Sequence, residues 1–398
     1  MSEMSYLEKL LDGAEVEWKH LGDVARIKNG KDHKSLGDGE FPVYGSGGIM
    51  RYADTFAYNK SSVLIPRKGS LGNLFFVDVP FWTVDTIFYT EIDEAQIRPK
   101  YLYYFLTTVG LGEMNQAGGV PSQTQSVLNK LKIPIPCPDN PKKSLTIQAE
   151  IVRILDKFTA LTAELTAELT AELSMRKKQY NYYRDQLLSF DDGEVKHLPM
   201  GQEGIGEFIR GGSFQKKDFT ETGFGCVHYG QIYTYYGTYT DKTKTYISAA
   251  LAKKCRKAQP GNLIIATTSE NDEDVCKAVA WLGKSDIAVS SDACIYKHNL
   301  NPKYVSYFFQ TEQFQSQKRQ YITGAKVRRV NADNLAKILI PVPSIQEQER
   351  IVSILDKFDT LTNSITEGLP REIELRQKQY EYYRDMLFSF PRPEVAEA

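Results

Sequence analysis

The segment 316–330 contains five basic residues and no acidic residue. Lysine and arginine neutralise phosphates, and the loop expected at 324–329 could present arginine forks to guanine O6 and N7. A solvated basic face explains the same composition. The segment therefore offers candidate nucleic-acid contacts, which are Lys318, Arg319, Lys326, Arg328 and Arg329.

Two other segments of the second half carry groups with the same potential. Lys242 and Lys244 are candidate phosphate contacts. Ser269 and Asn271 follow the apolar strand predicted at 263–266, where a polar loop could present hydroxyl and amide groups to bases.

The first half of the chain offers a different set of side chains. Arg67 and Lys68 follow the strand predicted at 62–65, and Arg51 follows a glycine-rich turn. Gln123 and Gln125 could each read adenine through two hydrogen bonds. Ordinary turn chemistry is the alternative for these loops.

No arrangement of residues predicts catalysis or a metal site. Gly283, Lys284 and Ser285 resemble the end of a phosphate-binding loop, but Ala278 stands where its first glycine is required. The five histidines show no ligand spacing, and the five cysteines are odd in number and lack a C-x-x-C pair. We therefore expect no catalytic residue and no metal ligand in this chain.

The composition is that of an ordinary globular protein without a global basic field. Hydrophobic residues make up 41% and charged residues 25% of the 398 residues, and the formal net charge is −1. The first residues lack a signal-peptide pattern, and no apolar run is long enough to span a membrane. We expect a cytoplasmic protein.

An internal repeat sets the organisation of the chain. Residues 151–158 return at 351–358 with seven of eight identical, and residues 176–190 return at 376–390 with eleven of fifteen identical. In both cases the second copy lies 200 positions after the first, so the chain contains a duplication. Residues 6–21 also match 183–198, so the chain opens with the tail of a repeat helix. This match predicts that the two termini meet in a cyclic, pseudo-two-fold arrangement.

The repeated segments are predicted to be long helices. Apolar residues recur at steps of three and four from 151 to 173, and Thr-Ala-Glu-Leu occurs three times in succession at 162–173. Two such stripes most simply bury against each other as an antiparallel coiled coil, although two separate bundle helices remain an alternative. Gly368 and Pro370 should break or kink the second helix.

The expected fold class is α+β, with two mixed α/β domains separated by the two helices. Frequent aromatic and β-branched residues between turn signals predict many short strands in both domains. The expected boundaries are a first recognition domain at 1–148 with a helix tail at 1–15, the first helix at 149–190, a second recognition domain at 191–347, the second helix at 348–390 and a tail at 391–398.

In this order the motifs resemble the specificity (S) subunit of type I restriction–modification systems. Isoleucine–proline runs at 133–136 and 340–343 lead into glutamine-rich segments and then into each repeated helix, as in that family. The tandem Thr-Ala-Glu-Leu units resemble the spacer of one branch of it. Pro370 is a departure that puts the straightness of the second helix in doubt.

The resemblance implies a non-catalytic subunit that reads double-stranded DNA beside partner enzymes. Two methyltransferase (M) subunits would use S-adenosylmethionine to methylate adenine N6, and restriction (R) subunits would use ATP and magnesium, so this chain itself needs no cofactor. Different side chains in corresponding loops predict an asymmetric, two-part target. The repeated aromatic and basic residues are candidate M-docking residues, although packing of the helix ends explains them too: Tyr180, Tyr182, Tyr183, Arg184, Tyr380, Tyr382, Tyr383 and Arg384.

Two other classes of function compete with this interpretation. A scaffolding coiled-coil protein could carry two binding domains that ignore DNA. A self-sufficient nuclease or methyltransferase would need motifs that the sequence lacks.

Overall fold

The computed structural model describes residues 6–114, 120–191, 193–364 and 367–392. Helices and short strands alternate along both halves, which confirms the expected α+β class. The α-helices lie at Tyr6–Leu11 (α1), Leu21–Val24 (α2), Pro99–Leu106 (α3), Gln125–Leu128 (α4), Pro141–Leu187 (α5), Tyr229–Thr234 (α6), Ala249–Ala252 (α7), Pro302–Phe308 (α8), Glu312–Arg319 (α9), Ala332–Leu335 (α10), Ile345–Asn363 (α11) and Gly368–Leu387 (α12).

The strands are short, as the frequent turn signals predict. They lie at Val16–His20 (β1), Ala25–Asn29 (β2), Phe41–Gly45 (β3), Gly48–Ala53 (β4), Ser62–Pro66 (β5), Phe75–Val77 (β6), Trp82–Thr83 (β7), Ile87–Ile92 (β8), Lys132–Pro136 (β9), His197–Pro199 (β10), Gly206–Arg210 (β11), Phe224–Val227 (β12), Tyr239–Thr240 (β13), Thr245–Ile247 (β14), Lys257–Ala258 (β15), Leu263–Ala266 (β16), Thr268–Ser269 (β17), Ala278–Trp281 (β18), Ile287–Val289 (β19), Ala293–His298 (β20), Arg328–Arg329 (β21) and Leu339–Pro341 (β22).

The chain divides into two compact units. The first unit runs to Ala167 and resumes at Glu374, and the second unit is Glu168–Ile373. Each unit thus contains one of the two α/β regions together with parts of the repeated helices. Among the described residues, every helix is too short or too polar to span a lipid bilayer.

Both units are built on a pair of small sheets. In the first unit the strand orders are β2-β8-β5-β6 and β4-β3-β7, and β1 pairs with β9. In the second unit they are β11-β20-β16-β18-β13 and β14-β12-β19-β15, and the short pairs are β17-β21 and β10-β22. The central strands β5 and β16 are buried along their whole length, which fixes the loops that follow them.

The helix α5 begins at Pro141, upstream of the expected position 149. The side-chain oxygen of Asn140 accepts a hydrogen bond from the Lys143 amide (3.1 Å), which is the geometry of an N-cap. Proline is favoured in the first turn because its missing N–H would have no helical partner there. The Asn140–Pro141 pair was therefore a local start signal that apolar periodicity did not reveal.

The second repeat helix is interrupted where Gly368 and Pro370 predict it. The helix α11 ends at Asn363 and α12 begins at Gly368. Gly368 has φ +80°, and a Cβ atom there would lie 2.5 Å from the Thr360 carbonyl oxygen. Only glycine fits this position without strain. Pro370 then lies in the first turn of α12, where proline is tolerated.

The repeated helices pair in the same way within each unit. In the first unit Phe158 stacks on Tyr383 with ring centroids 5.4 Å apart, and the Thr159 hydroxyl donates to the Tyr380 hydroxyl (3.2 Å). Thr159 follows Phe158 on α5, whereas its partner Tyr380 precedes Tyr383 on α12. The two helices therefore pair antiparallel. In the second unit the corresponding rings of Tyr183 and Phe358 are 5.7 Å apart.

Both ends of the described chain contribute to the core of the first unit. Leu7 and Leu11 from α1 lie in the same buried cluster as Phe388 and Phe390, which follow α12. The Trp18 indole N–H donates to the Pro391 carbonyl (2.8 Å). The expectation that the two termini meet is confirmed within this unit.

Each α/β region is attached to its repeat helix by a matching polar cluster. In the first unit Lys100 Nζ lies 2.9 Å from an Asp156 carboxylate oxygen, and the Tyr104 hydroxyl donates to the same carboxylate (2.7 Å). These bonds hold α3 on α5. The second unit repeats the cluster on α8 and α11 with Lys303, Tyr307 and Asp356, at 2.6 and 2.7 Å.

Candidate nucleic-acid interface

In the first unit, three loops that are distant in sequence lie together beyond β5. Lys68 forms a β-bridge with Ser122, and the Gln123 amide donates to the Arg67 carbonyl (3.0 Å). The loop around 120–125 is thereby fixed beside the loop that follows β5. Asn29, at the end of β2, joins them because its side-chain oxygen accepts from Gln125 (3.2 Å).

The second unit brings two of the sequence-predicted segments together in the same manner. Thr268 and Ser269 of β17 pair with Arg329 and Arg328 of β21 in an antiparallel ladder. The Val330 amide donates to the Thr267 carbonyl (3.2 Å). The polar loop after β16 and the basic segment therefore form one surface.

The bridge in the first unit and the ladder in the second are equivalent but carry different side chains. Lys68 corresponds to Thr268, and Ser122 corresponds to Arg329, because each pair bridges the same two loops. In the first unit the cation is Lys68, on the loop that follows β5. In the second unit the cation is Arg329, on the segment that pairs with the loop after β16. One framework thus presents two chemically unlike surfaces.

Several candidate cations are available to a ligand at these surfaces. Lys68, Lys326 and Arg329 are exposed, and no side-chain partner of theirs occurs among the described residues. Arg67 is half-buried, with its guanidinium 5.7 Å from the centre of the Phe88 ring. Lys68 and Arg67 in one unit and Lys326 and Arg329 in the other are therefore the best-placed cations.

Gln123 is a correction to the sequence prediction. Its side chain is 2% exposed and donates to the Pro66 carbonyl (2.6 Å), so it cannot reach a base. The equivalent position in the second unit is the buried Val330. Gln123 therefore joins two loops from inside. Gln125 stays partly exposed, bonded to Asn29.

Lys318 is a second correction, because it is fully buried. Its ammonium group donates to the carbonyls of Glu273 (3.1 Å) and Val275 (2.9 Å), and burial lowers its pKa. It supports the 273–275 turn and cannot bind phosphate. Helical spacing could have predicted this burial. Lys318 follows the buried Phe314 by four residues on α9, so the two side chains lie on the same face of the helix.

Other candidates are exposed or half-buried but already have partners. Arg51 lies 2.6 Å from Asp38, Arg319 lies 2.8 Å from Glu312, and Arg328 lies 2.7 Å from Asp272. The Asn271 amide is bonded to Asp274 through both its oxygen and its nitrogen. Lys244 lies over the Tyr235 ring at 4.5 Å. Lys242 is the exception, because it is exposed and no partner of its side chain occurs among the described residues.

The candidate docking residues on the helices separate into buried and exposed sets. Tyr180 is 4% exposed and Arg184 is 8% exposed, so these two are corrected to packing residues. Tyr183, Tyr380 and Tyr383 take part in the helix pairing described above, and Arg384 is bound to Asp385 (2.7 Å). Tyr183 is 41% exposed in spite of this packing, and Tyr182 and Tyr382 are the equivalent residues that are exposed in both copies, at 61% and 65%.

One residue on the surface of the second unit was missed by sequence reasoning. Arg210, at the end of β11, lines a cavity of about 280 Å³ together with Thr267, Tyr321, Arg329 and Asn334. It stands at the position of Asn29, because both precede a glycine packed against a backbone carbonyl. The sequence could have indicated Arg210, because in both units a strand ends in a polar residue that a glycine follows, at Asn29-Gly30 and at Arg210-Gly211.

Groups of three or more His, Cys, Asp or Glu side chains able to hold a metal ion do not occur in residues 6–114, 120–191, 193–364 and 367–392. What these surfaces offer chemically is ion pairing and hydrogen bonding. Each unit thus presents a polar loop surface and packs on the repeated helices. A chain with two such surfaces belongs to the class of two-domain binding proteins.

Known proteins share this organisation. The family model for the type I restriction modification DNA specificity domain matches residues 14–175 and 199–375. The specificity subunit of the Escherichia coli type I restriction enzyme EcoR124I/EcoR124II is 43% identical over 411 residues, with 99% of each chain covered. A putative type I restriction enzyme specificity subunit of Haemophilus influenzae is 35% identical over 412 residues, with 97% of this chain and 98% of the relative covered.

A solved chain from work on complex assembly and conformational transition of the type I R-M system has a similar fold. Its TM-score is 0.59 at 15% sequence identity, with 94% of this chain and 97% of that chain covered. This chain belongs to the family of type I restriction–modification DNA specificity subunits.

Proposed function

We propose that this chain reads a bipartite, asymmetric DNA target, with one half-site for each unit, and catalyses no reaction itself. One observation carries the proposal: equivalent pairings of two loops present Lys68 in the first unit and Arg329 in the second. Unlike side chains on one framework are what two different half-sites require. Exposed lysines contribute affinity through phosphates, and arginine and amide groups contribute base selection.

The catalytic steps belong to partner subunits in this proposal. Two M subunits transfer the methyl group from S-adenosylmethionine to adenine N6, and R subunits use ATP and magnesium in the cytoplasm. An adenine inside a duplex must leave the base stack before it can be methylated. The role of this chain is to hold the bound sequence so that the target adenine is accessible.

Mapping of methylated adenines in cells that contain this chain and its M subunit tests the proposal. We expect methylation within one sequence made of two unlike parts at a fixed separation. A gel shift of the complex should show that sequence preferred, with affinity falling steeply as salt rises, because bound phosphates release counterions. A complex that binds no DNA selectively would favour the scaffolding alternative.

The Thr-Ala-Glu-Leu units are proposed to set the unread gap between the half-sites. The helix α5 passes without a break through 162–173. Each four-residue unit adds ~6 Å of helix and a net rotation of ~40°. That rotation is close to the roughly 35° between successive DNA base pairs.

Deletion of residues 170–173 is therefore expected to shorten the methylated target by about one base pair in its gap, with both half-sites unchanged. Methylation mapping is the measurement. Replacement of the same four residues by four alanines keeps the length of the helix, so it should keep the gap. An unchanged gap in the deletion variant would contradict the proposed ruler.

Tyr182 and Tyr382 are proposed to dock the two M subunits. They occupy equivalent positions and are the most exposed tyrosines of the repeated set, and each packs edge-on against its neighbouring tyrosine. Exposed tyrosine is enriched among residues that dominate protein interfaces.

Substitution of either tyrosine by alanine is expected to weaken one M site by ~2 kcal/mol, or about 30-fold. Native mass spectrometry at limiting M subunit should show complexes with one M subunit in place of two. Tyr235→Ala, which removes a 57% exposed tyrosine elsewhere in the second unit, is the control. Full two-subunit binding by the Tyr182→Ala, Tyr382→Ala double variant would disprove the docking role.

A further inference from the structure

The cavity beside Arg210 is small and polar and lies on the proposed reading surface of the second unit. Its volume is about 280 Å³, and its wall is formed by the end of β11, the loop after β16 and the segment from β21 to α10. Sites that enclose whole small molecules usually have ~300–1,000 Å³. The cavity therefore suits the edge of a base better than a complete small ligand.

Two guanidinium groups border this cavity, and both have unused donors. Arg210 donates through Nε to the Ser291 carbonyl (3.3 Å), which orients the group. Its two terminal nitrogens have no protein partner in the described ranges. Arg329 is held through its backbone, which exchanges hydrogen bonds of 2.8 and 2.9 Å with Thr323, and its side chain is exposed.

The equivalent place in the first unit is chemically different. Arg210 corresponds to Asn29, since Gly211 and Gly30 are packed in the same way: a Cβ atom would lie 2.1 Å from the Ser290 oxygen and 1.9 Å from the Val84 oxygen, respectively. Asn29 is occupied by its hydrogen bond from Gln125 (3.2 Å). The first unit therefore has a hydrogen bond between two neutral amides, those of Asn29 and Gln125, at this place. The second unit has a cavity bordered by Arg210 and Arg329 at the equivalent place.

The remaining wall residues favour a base over a phosphate. Asp292 lines the cavity with Asn331 and Asn334. A carboxylate disfavours a phosphate anion, but it accepts a hydrogen bond from the cytosine N4 amino group. Guanine presents the O6 and N7 acceptors that an arginine fork binds. Cations and an anion side by side therefore match the major-groove edge of one G·C pair.

We propose that this cavity recognises a G·C base pair in the half-site of the second unit, with Arg210 and Arg329 donating to guanine and Asp292 accepting from cytosine. This inference rests on the proposed function, because it assumes that the surface contacts DNA. It names one base pair of the target and adds Arg210 to the residues that select it.

Replacement of single guanines in the target by 7-deazaguanine, which lacks the N7 acceptor, tests the proposal. In the complex with the M subunit, one such replacement should weaken DNA binding by a factor between ~5 and ~150, the range of a good arginine–guanine pair. Arg210→Ala should weaken binding to ordinary DNA by a similar factor. The variant should then respond less to that replacement than the unmodified complex does.

Two further variants separate base reading from general attraction. Arg210→Lys keeps the charge but not the fork, so it should bind as weakly as Arg210→Ala. Lys297→Ala removes a cation from the strand that pairs with β11 and should bind like the unmodified chain. Full binding by Arg210→Lys, with no response of that variant to 7-deazaguanine, would show a phosphate contact and overturn the proposal.

The proposal is also overturned if no guanine of the target responds in an Arg210-dependent way while the unmodified complex still binds selectively. Failure of the proposed function gives a different result. In that case the unmodified complex itself shows no preference for any sequence.

Discussion

Phe388→Ala is expected to lower the free energy of unfolding of the first unit by ~3–5 kcal/mol, the usual cost of deleting a buried phenylalanine ring. Phe388 is 6% exposed, and its ring packs against Tyr101 and Phe105 with centroids 5.4 and 5.6 Å away. The residue follows α12, so the cavity would loosen the attachment of the C-terminal segment. Denaturant unfolding followed by fluorescence is the measurement.

Trp18 makes this loss visible, because its indole N–H is bonded to the Pro391 carbonyl and Arg392 lies 5.6 Å from the centre of its ring. Release of the segment should change Trp18 emission before the rest of the unit unfolds. Tyr382→Ala is the matched control, since it removes an aromatic ring that is 65% exposed near the end of α12. A midpoint equal to that of Tyr382→Ala would show that the C-terminal segment does not stabilise the first unit.

Acidification is expected to destabilise the second unit through His298. Burial lowers the pKa of His298 from 6.5 to about 4, and its Nδ1 accepts a hydrogen bond from the Leu300 amide (3.2 Å). The unfolded chain therefore takes up a proton as the pH falls below about 6.5, while the folded unit stays neutral until about pH 4. Stability is present above this window and is lost within it, by roughly 3 kcal/mol.

His298→Asn is the variant that tests this assignment. Asparagine can still accept from the amide two residues ahead, but it does not titrate. The dependence of unfolding free energy on pH between 6.5 and 4, followed by Trp281 fluorescence, should flatten markedly. A residual slope is expected from His228, whose pKa is also lowered by burial. An unchanged slope would mean that His298 does not control the acid response.

The arrangement of the helices followed from the sequence because its signals are local or repeated. Seven of eight residues repeated at 151–158 and 351–358 require equivalent structures, and the Phe158–Tyr383 and Tyr183–Phe358 pairs are such equivalents. The break before Gly368 was also predictable, because it depends on the backbone freedom of one glycine. The start at Asn140 was missed because periodicity locates the apolar face of a helix and not its cap.

The sequence by itself determined that this protein is duplicated, that its repeats are helices and that two unlike α/β regions accompany them. Only the tertiary structure decided which polar side chains are available for binding. Lys318 is buried by carbonyls 43 and 45 residues away, and Gln123 by a carbonyl 57 residues away. Composition cannot reveal such partners, since hydrogen-bond satisfaction depends on which distant segments the fold brings within about 3 Å. The same folding leaves Arg210 and Arg329 on one cavity.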